Sequence, residues 1–210
     1  RGQERSAIHL RPKGLRSLFD PMSTNTLYPV FLNLRGRPVV VIGGGQVALR
    51  KTRALVRAGA VITVVAPRFA RGFESLPVGR VDEPYRAAHL RGASVAFAAS
   101  DDRAVNAAVM NICRARGILV NVCDDPAGCD FHVPAALREG TVAVAVSTNG
   151  AAPAVGAKLK REIKALLAGG WVALAERVKR KRIELRARGV PPGKRRRILR
   201  ALARGRKKRR

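Results

Sequence analysis

Four short groups of residues carry most of the chemical potential of this chain. Gly43-Gly44-Gly45-Gln46-Val47-Ala48 fits the pattern G-x-G-x-x-A, a turn that lays a pyrophosphate on the start of a helix. Gly43 permits the tight turn, Gly45 has no Cβ to hold a phosphate off the backbone, and Ala48 lets helix and strand pack closely. The free N–H groups and partial positive charge of a helix start favour an anion there. The second group, Ala66-Pro67-Arg68, stands where many dinucleotide folds carry an acid for the ribose. An arginine at Arg68 would suit a 2′-phosphate instead, so the residues by themselves lean toward NADP. The third is Asp124-Asp125-Pro126, a carboxylate that could take a proton, or simply a polar turn. The fourth is Ser147-Thr148-Asn149-Gly150, ahead of Pro153. Its hydroxyls and the following helix N–H groups could bind anionic groups of a substrate, and the same residues suit a capped helix entry. These two readings are compatible.

Positioning these groups requires alternating strands and helices. Pro38–Gly43 (PVVVIG) is a short apolar, β-branched run that predicts a buried strand. A helix over Gln46 to Ala58, capped by Gly59, and a strand over Val61–Ala66 complete a βαβ unit. The pattern repeats with a strand at Ser94–Ala99, a helix at Arg103–Arg116 capped by Gly117, and a strand at Ile118–Cys123. Between these lie a short strand near Arg80–Pro84 and a helical turn at Ala87–Leu90. Such alternation predicts an α/β fold with a Rossmann-like parallel sheet. After Asp130 the character changes. Strands are expected at Phe131–Val133 and Thr141–Val146, joined through Ala135–Gly140, then a helix at Ala154–Leu167 with Pro153 in its first turn. Beyond Gly169-Gly170 the chain reads as helical and basic, broken once by Gly189–Gly193 (GVPPG).

Composition supports this reading. Of the 210 residues, 47% are hydrophobic but only 4% aromatic, so the core must be built from Val, Ala, Leu and Ile. That suits parallel strands under alanine-rich helices. The formal net charge is +28, and residues 176–210 alone hold 18 Lys/Arg against 2 Glu. Such a field favours anionic partners without choosing among nucleic acid, anionic lipid and a polycarboxylate. Three cysteines without a CxxC argue against a disulfide framework and for a reduced, cytoplasmic setting. No apolar run approaches the ~20 residues of a membrane span, so no membrane partner is expected. Residues 1–24 read as a disordered extension, with a weak transit-like character in 1–21.

The residues that carry a family likeness run from Tyr28 to Gly45 (YPVFLNLRGRPVVVIGGG), with Val47-Ala48-Leu49-Arg50-Lys51 following. Ala98-Ala99-Ser100-Asp101-Asp102 with Val105-Asn106, Asn121-Val122-Cys123-Asp124-Asp125-Pro126, and Val144–Gly150 with Ala152-Pro153-Ala154 continue it in order. Over residues 27–168 the chain resembles precorrin-2 dehydrogenases, which are also the N-terminal module of sirohaem synthase. The resemblance implies oxidation of precorrin-2 to sirohydrochlorin with NAD, and in some members insertion of ferrous iron. It implies a Rossmann-like domain over 25–130, a dimerisation segment of small α+β character over 131–168, and a basic helical region with a disordered tail over 169–210. Members are dimers with interlocked middle segments, so a homodimer and a tetrapyrrole substrate are expected. The resemblance puts cofactor contacts at Gln46, Val47, Pro67 and Arg68, with Ser100 and Asp101 lining the same cleft. It makes Asp124 the general acid/base, and it favours NAD despite Arg68.

Other residues read more plainly. His132 is expected to be a half-buried histidine with one hydrogen bond, and Cys123 and Cys129 to be packing residues. No His/Cys spacing resembles a closed metal site, so no metal ligands are assigned. Two further function classes fit parts of the chain: a non-catalytic module that senses a nicotinamide cofactor, and a basic nucleic-acid-binding protein. The Asp124 and Ser147 groups favour the enzyme, because a sensor would need only the glycine turn. The basic tail lacks the interleaved aromatics of a sequence-reading motif, so no specific nucleic acid is expected.

Overall fold

The computed structural model describes residues 27–123 and 125–204. The extension read over 1–24 and the tail beyond 204 lie largely or wholly outside them. The chain divides into a short N-terminal unit ending at Val30, whose described residues take no regular structure, and a unit of Phe31–Arg210.

The larger unit holds a five-stranded sheet in the order β3-β2-β1-β4-β5, formed by β1 (Pro38–Ile42), β2 (Val61–Val65), β3 (Gly79–Val81), β4 (Val95–Ala98) and β5 (Leu119–Val122). Every neighbouring pair is parallel. Helix α1 (Gln46–Arg57) links β1 to β2, and α2 (Arg103–Arg116) links β4 to β5. Alternation along each strand sends successive side chains to opposite layers. Val39, Val41, Val64, Val95 and Phe97 pack with Ala48 and Leu49 of α1. Val40, Ile42, Ala96, Ala98 and Val120 pack with Val109 and Cys113 of α2. Both faces are covered, which is why these strands read as continuous apolar runs rather than alternating ones. The expected α/β architecture, the helix over Arg103–Arg116 and the helical turn over Ala87–Leu90 all form. Gly117 closes α2 at φ +66.

The region after Asp130 departs from the expected pattern in one respect. The strand is β6 (Ala135–Glu139), not Phe131–Val133, and it pairs antiparallel with β7 (Val142–Val146). Gly140 at φ +57 opens a two-residue turn, which sets Glu139 opposite Val142 and draws the connector into the hairpin. The polar Arg138 and Glu139 conceal this strand in the sequence. Helix α3 (Pro153–Ala168) packs on the hairpin, and α4 (Trp171–Ala187) and α5 (Pro192–Arg204) follow. Gly170 at φ +98 separates α3 from α4.

Candidate active site

The strand order reverses direction between β1 and β4, and ligands of open parallel sheets bind outside the carboxyl ends at that point. The glycine turn sits there. Gly43 has φ +119, and a Cβ on it would overlap the carbonyl of Ala99 at the end of β4. Gly44 is equally constrained: a Cβ would overlap the Arg68 carbonyl oxygen, and Ala70 N–H donates to the Gly44 oxygen at 2.7 Å. The motif treats this middle position as free, so the sequence concealed its role. Gly45 is different. A Cβ there would meet no atom beyond its chain neighbours within 4 Å. Gly45, Gln46 and Val47 are exposed, while Gly43, Gly44 and Ala48 are buried. An open ledge therefore leads to the start of α1, whose N-cap has no side-chain hydrogen bond and whose first turn has no acid. That arrangement fits a dinucleotide pyrophosphate: a helix start offers free backbone N–H groups, and nothing on Gly45 blocks approach.

The other expected cofactor residues surround this ledge. Pro67 and Arg68 leave β2, and the Arg68 backbone runs against Gly44. Ser100 and Asp101 leave β4, with Ser100 N close to Gly43. This loop is rigid for a local reason. Buried Asn106 of α2 accepts from Ser100 N–H at 3.1 Å and donates to the Ser100 carbonyl at 2.9 Å. Ser100 Oγ in turn accepts from Asp102 N–H at 3.2 Å, and Asp102 caps α2 by accepting from Ala104 N–H at 2.8 Å. Each such bond contributes about 1 kcal/mol, so the pair made by Asn106 fixes where Ser100 stands.

Beside the ledge lies a cavity of about 370 Å³, within the range of small-molecule sites. One wall comes from α1, where Val47, Arg50 and Lys51 follow the i, i+3, i+4 spacing of a single helix face. The floor is β5 with Asn121, Cys123 and Asp125, and the far wall is Ser147, Thr148 and Gly150 before α3. Of the expected substrate residues, Asn149 alone is not part of the lining. Asn149 has φ +51 and Gly150 has φ +83, so the turn needs two successive left-handed residues. Thr148 Oγ1 accepts from Ala152 N–H at 3.2 Å, and Ser147 Oγ accepts from Asn149 N–H at 3.1 Å. These bonds close the turn but do not cap α3, which has no side-chain cap. The helix entry is thus a shaped turn rather than a capped one.

Asp124 lies outside the described residues. Its neighbours Cys123 and Asp125 both line the cavity. Asp125 accepts from Gly128 N–H at 3.0 Å and so holds the loop after β5.

Two residues here do more than the sequence indicated. Lys51 Nζ donates to Asn121 Oδ1 at 2.7 Å and lies 5.3 Å from the Phe97 ring centroid. Asn121 donates onward to the Phe131 carbonyl at 2.9 Å. Its place one helical turn after Val47 was the signal that could have found Lys51. Cys129 does more than pack. Its Sγ accepts from Val122 N–H at 3.1 Å and lies 3.2 Å from the Val122 carbonyl, tying the loop back to β5. Burial pushes its thiol pKa upward. His132 is half-buried as expected, with Nε2 at 3.5 Å from the Pro126 carbonyl, and it lines the cavity as well.

Comparison with known proteins bears on this geometry. Residues 30–135 match the family model described as "Putative NAD(P)-binding". The chain belongs to this NAD(P)-binding family. Residues 140–166 match the model for the central segment of sirohaem biosynthesis proteins. "Siroheme synthase" of Photobacterium profundum is 40% identical over 143 residues, which is 66% of this chain and 30% of that protein. The enzyme of the same name from Nitrosomonas europaea is 38% identical over 167 residues, 77% of this chain and 35% of its own length. The chain therefore spans about a third of the curated relatives it matches. The solved structure titled "SirC, precorrin-2 dehydrogenase" superposes with a TM-score of 0.74 at 24% identity, covering 84% of this chain and 89% of that one. That likeness confirms the fold: a Rossmann-like parallel sheet followed by the hairpin, α3 and a helical C-terminal region.

Proposed function

We propose that this chain is a dehydrogenase that oxidises precorrin-2 to sirohydrochlorin with NAD in sirohaem synthesis. The observation that carries the reading is the junction of two sites. An open glycine ledge meets a cavity whose described walls bring two cations, Arg50 and Lys51, opposite the hydroxyls of Ser147 and Thr148. A polycarboxylate substrate needs both. Bound NAD supplies the hydride acceptor. Gly43, Gly45, Gln46 and Val47 present the ledge to its pyrophosphate, and Pro67, Arg68, Ser100 and Asp101 form the rim on either side. Ser147, Thr148, Asn149 and Gly150 hold a carboxylate of the substrate, with Arg50 and Lys51 neutralising its charge. Asp124 takes the proton that leaves as the hydride departs. The family likeness favours NAD over NADP at Arg68.

The hairpin and α3 support a homodimer. No residue of β6 or β7 is buried, and Val155, Leu159 and Leu166 of α3 are exposed. Residues 131–168 act as the dimerisation segment between the cofactor domain of 25–130 and the helical region of 169–210. Among the described residues no helix is long and apolar enough to cross a membrane, and the protein works in the cytoplasm on a small-molecule substrate.

The deciding experiment incubates the purified chain with precorrin-2 and NAD and follows sirohydrochlorin and NADH by absorbance. Asp124→Asn is expected to lower kcat by ~10²–10⁴-fold while NAD affinity is kept. Wild-type turnover in that variant would remove Asp124 as the base. No NADH with precorrin-2 would remove the reading itself.

A further inference from the structure

Residues 176–210 hold 18 Lys/Arg against 2 Glu, and helices α4 and α5 give much of that charge a shape. On α5, Ile198, Leu199 and Leu202 are half-buried and form one side of the helix, and α5 packs on α4. Arg196, Arg197, Arg200 and Arg204 lie on the opposite side and are all exposed. Arg196, Arg200 and Arg204 follow an i, i+4, i+8 spacing, which stacks them in a single row along the helix. On α4, Lys179, Arg182 and Arg186 form a second exposed row at i, i+3, i+7. The acids of α4 do not reach the α5 row. Glu184 pairs with Lys181 and Arg188, and Glu176 pairs with Lys179. No acid follows Glu184 in the sequence. Among the described residues, the four exposed arginines of α5 make no ion pair.

Like charges four apart destabilise an isolated helix, and α5 carries no opposite charge to offset them. The proposed active site does not involve this helix. We propose that the exposed arginine row of α5, with the basic row of α4, binds the phosphodiester backbone of nucleic acid without reading its bases. Three features favour this partner over an anionic lipid surface. The cations are almost all arginine, whose planar fork suits phosphate oxygens. They recur in a line, as backbone phosphates do. The outward face of α5 has no large apolar side chain to enter a bilayer, because Ile198, Leu199 and Leu202 point the other way. The absence of aromatic residues from α5 removes the stacking platforms of base recognition.

The test titrates the full chain against a fluorescent 20-base-pair duplex DNA of arbitrary sequence at a series of salt concentrations. Wild type should bind at low salt, with log K falling linearly as log salt rises. In Arg196/Arg200/Arg204→Gln the slope should shrink by roughly 2–3, since each phosphate contact contributes about 0.9. Arg196/Arg200/Arg204→Lys should keep the wild-type slope, because the charges remain. Arg57/Arg91/Arg103→Gln removes the same charge from elsewhere on the chain and should change the slope by less than about 1. Equal losses in the two Gln variants would overturn the proposal, leaving only the attraction of a basic protein for a polyanion. So would an unchanged slope in the α5 Gln variant, a loss in the Lys variant, or tighter binding to phosphatidylserine vesicles than to the duplex.

Discussion

The five-stranded sheet and the β6–β7 hairpin are built from the same small vocabulary, yet they fold to different ends. Val39–Ile42 and Val95–Ala98 are buried at every position, while Val142–Val146, a run of alternating Val and Ala, is buried at none. Residue type does not separate them. The parallel sheet has a helix layer on each face, so each β-branched side chain removes its surface from water within this chain. The hairpin packs mainly on α3, with Val172 of α4 against its Gly140 turn, and α3 buries only Gly156 and Leu167. The first region is complete in one copy. The second leaves side chains at its surface that the proposed dimer would cover.

The glycine turn belongs wholly to the complete region, and its variants should show the largest effects. Gly44→Ala drives a Cβ into the Arg68 backbone, which cannot rotate away. It should destabilise the chain by about 3 kcal/mol and abolish cofactor binding together with stability. Gly45→Ala should do the opposite, with its thermal midpoint nearly unchanged and cofactor affinity reduced, because its Cβ meets only the ledge. Thermal unfolding and a cofactor titration on both variants would check this. Equal stability in the two would mean that the turn yields more readily than its contacts indicate.

The hairpin region should respond through association instead. Leu159→Glu places a charge on the exposed face of α3, where Leu159 keeps 40% of its accessible surface. A single chain has little to lose there. If the face meets its copy, dimer affinity should fall about thirtyfold, roughly 2 kcal/mol. Sedimentation velocity across micromolar concentrations reads this directly. A wild-type monomer throughout that range would end the view that this region needs a partner.

The same contrast governs what could be read from sequence. The strands of the sheet were legible because burial on both faces writes an unbroken apolar run. The strand at Ala135–Glu139 was not, because a half-solvated strand tolerates Arg138 and Glu139, and only the Gly140 turn fixes its register. The glycine turn between β1 and α1 was legible from its motif, although Gly44 hid in a position the motif leaves open. The Lys51–Asn121 contact spans 70 residues of chain, and nothing local in the sequence announces it. Its role is open to test. Lys51→Met keeps the length and the contact with Phe97 but removes the cation and its hydrogen bond. A charge-assisted bond contributes about 1.5–3 kcal/mol, so KM for the proposed tetrapyrrole substrate should rise roughly tenfold or more, with the KM for NAD little changed. A change confined to NAD would move Lys51 from the substrate wall to the cofactor ledge.

The smallest effect expected separates the two regions by pH. All three cysteines precede residue 131, so the hairpin and α3 contain none. Cys113 of α2 is fully buried against the sheet. Burial pushes its thiol up to about 11, nearby Asp130 adds to the shift, and Arg116 opposes it. In the unfolded chain the thiol ionises near its ordinary value of 9.0. Below that pH both states keep the proton and the fold retains its full stability. Above it the unfolded chain loses the proton while the folded chain holds it, so stability declines from about 9 toward 11. The Cys129 thiol is raised for the same first cause and adds a slope of the same sign. Cys113→Ala removes one of these contributions. Its absolute stability should be lower because a buried sulfur is lost, so the informative quantity is the difference between variant and wild type as a function of pH. That difference should narrow between pH 9 and 11 in denaturant unfolding. A constant gap across that window would show that the Cys113 thiol meets water or a hydrogen-bond donor that lets it ionise in the folded chain.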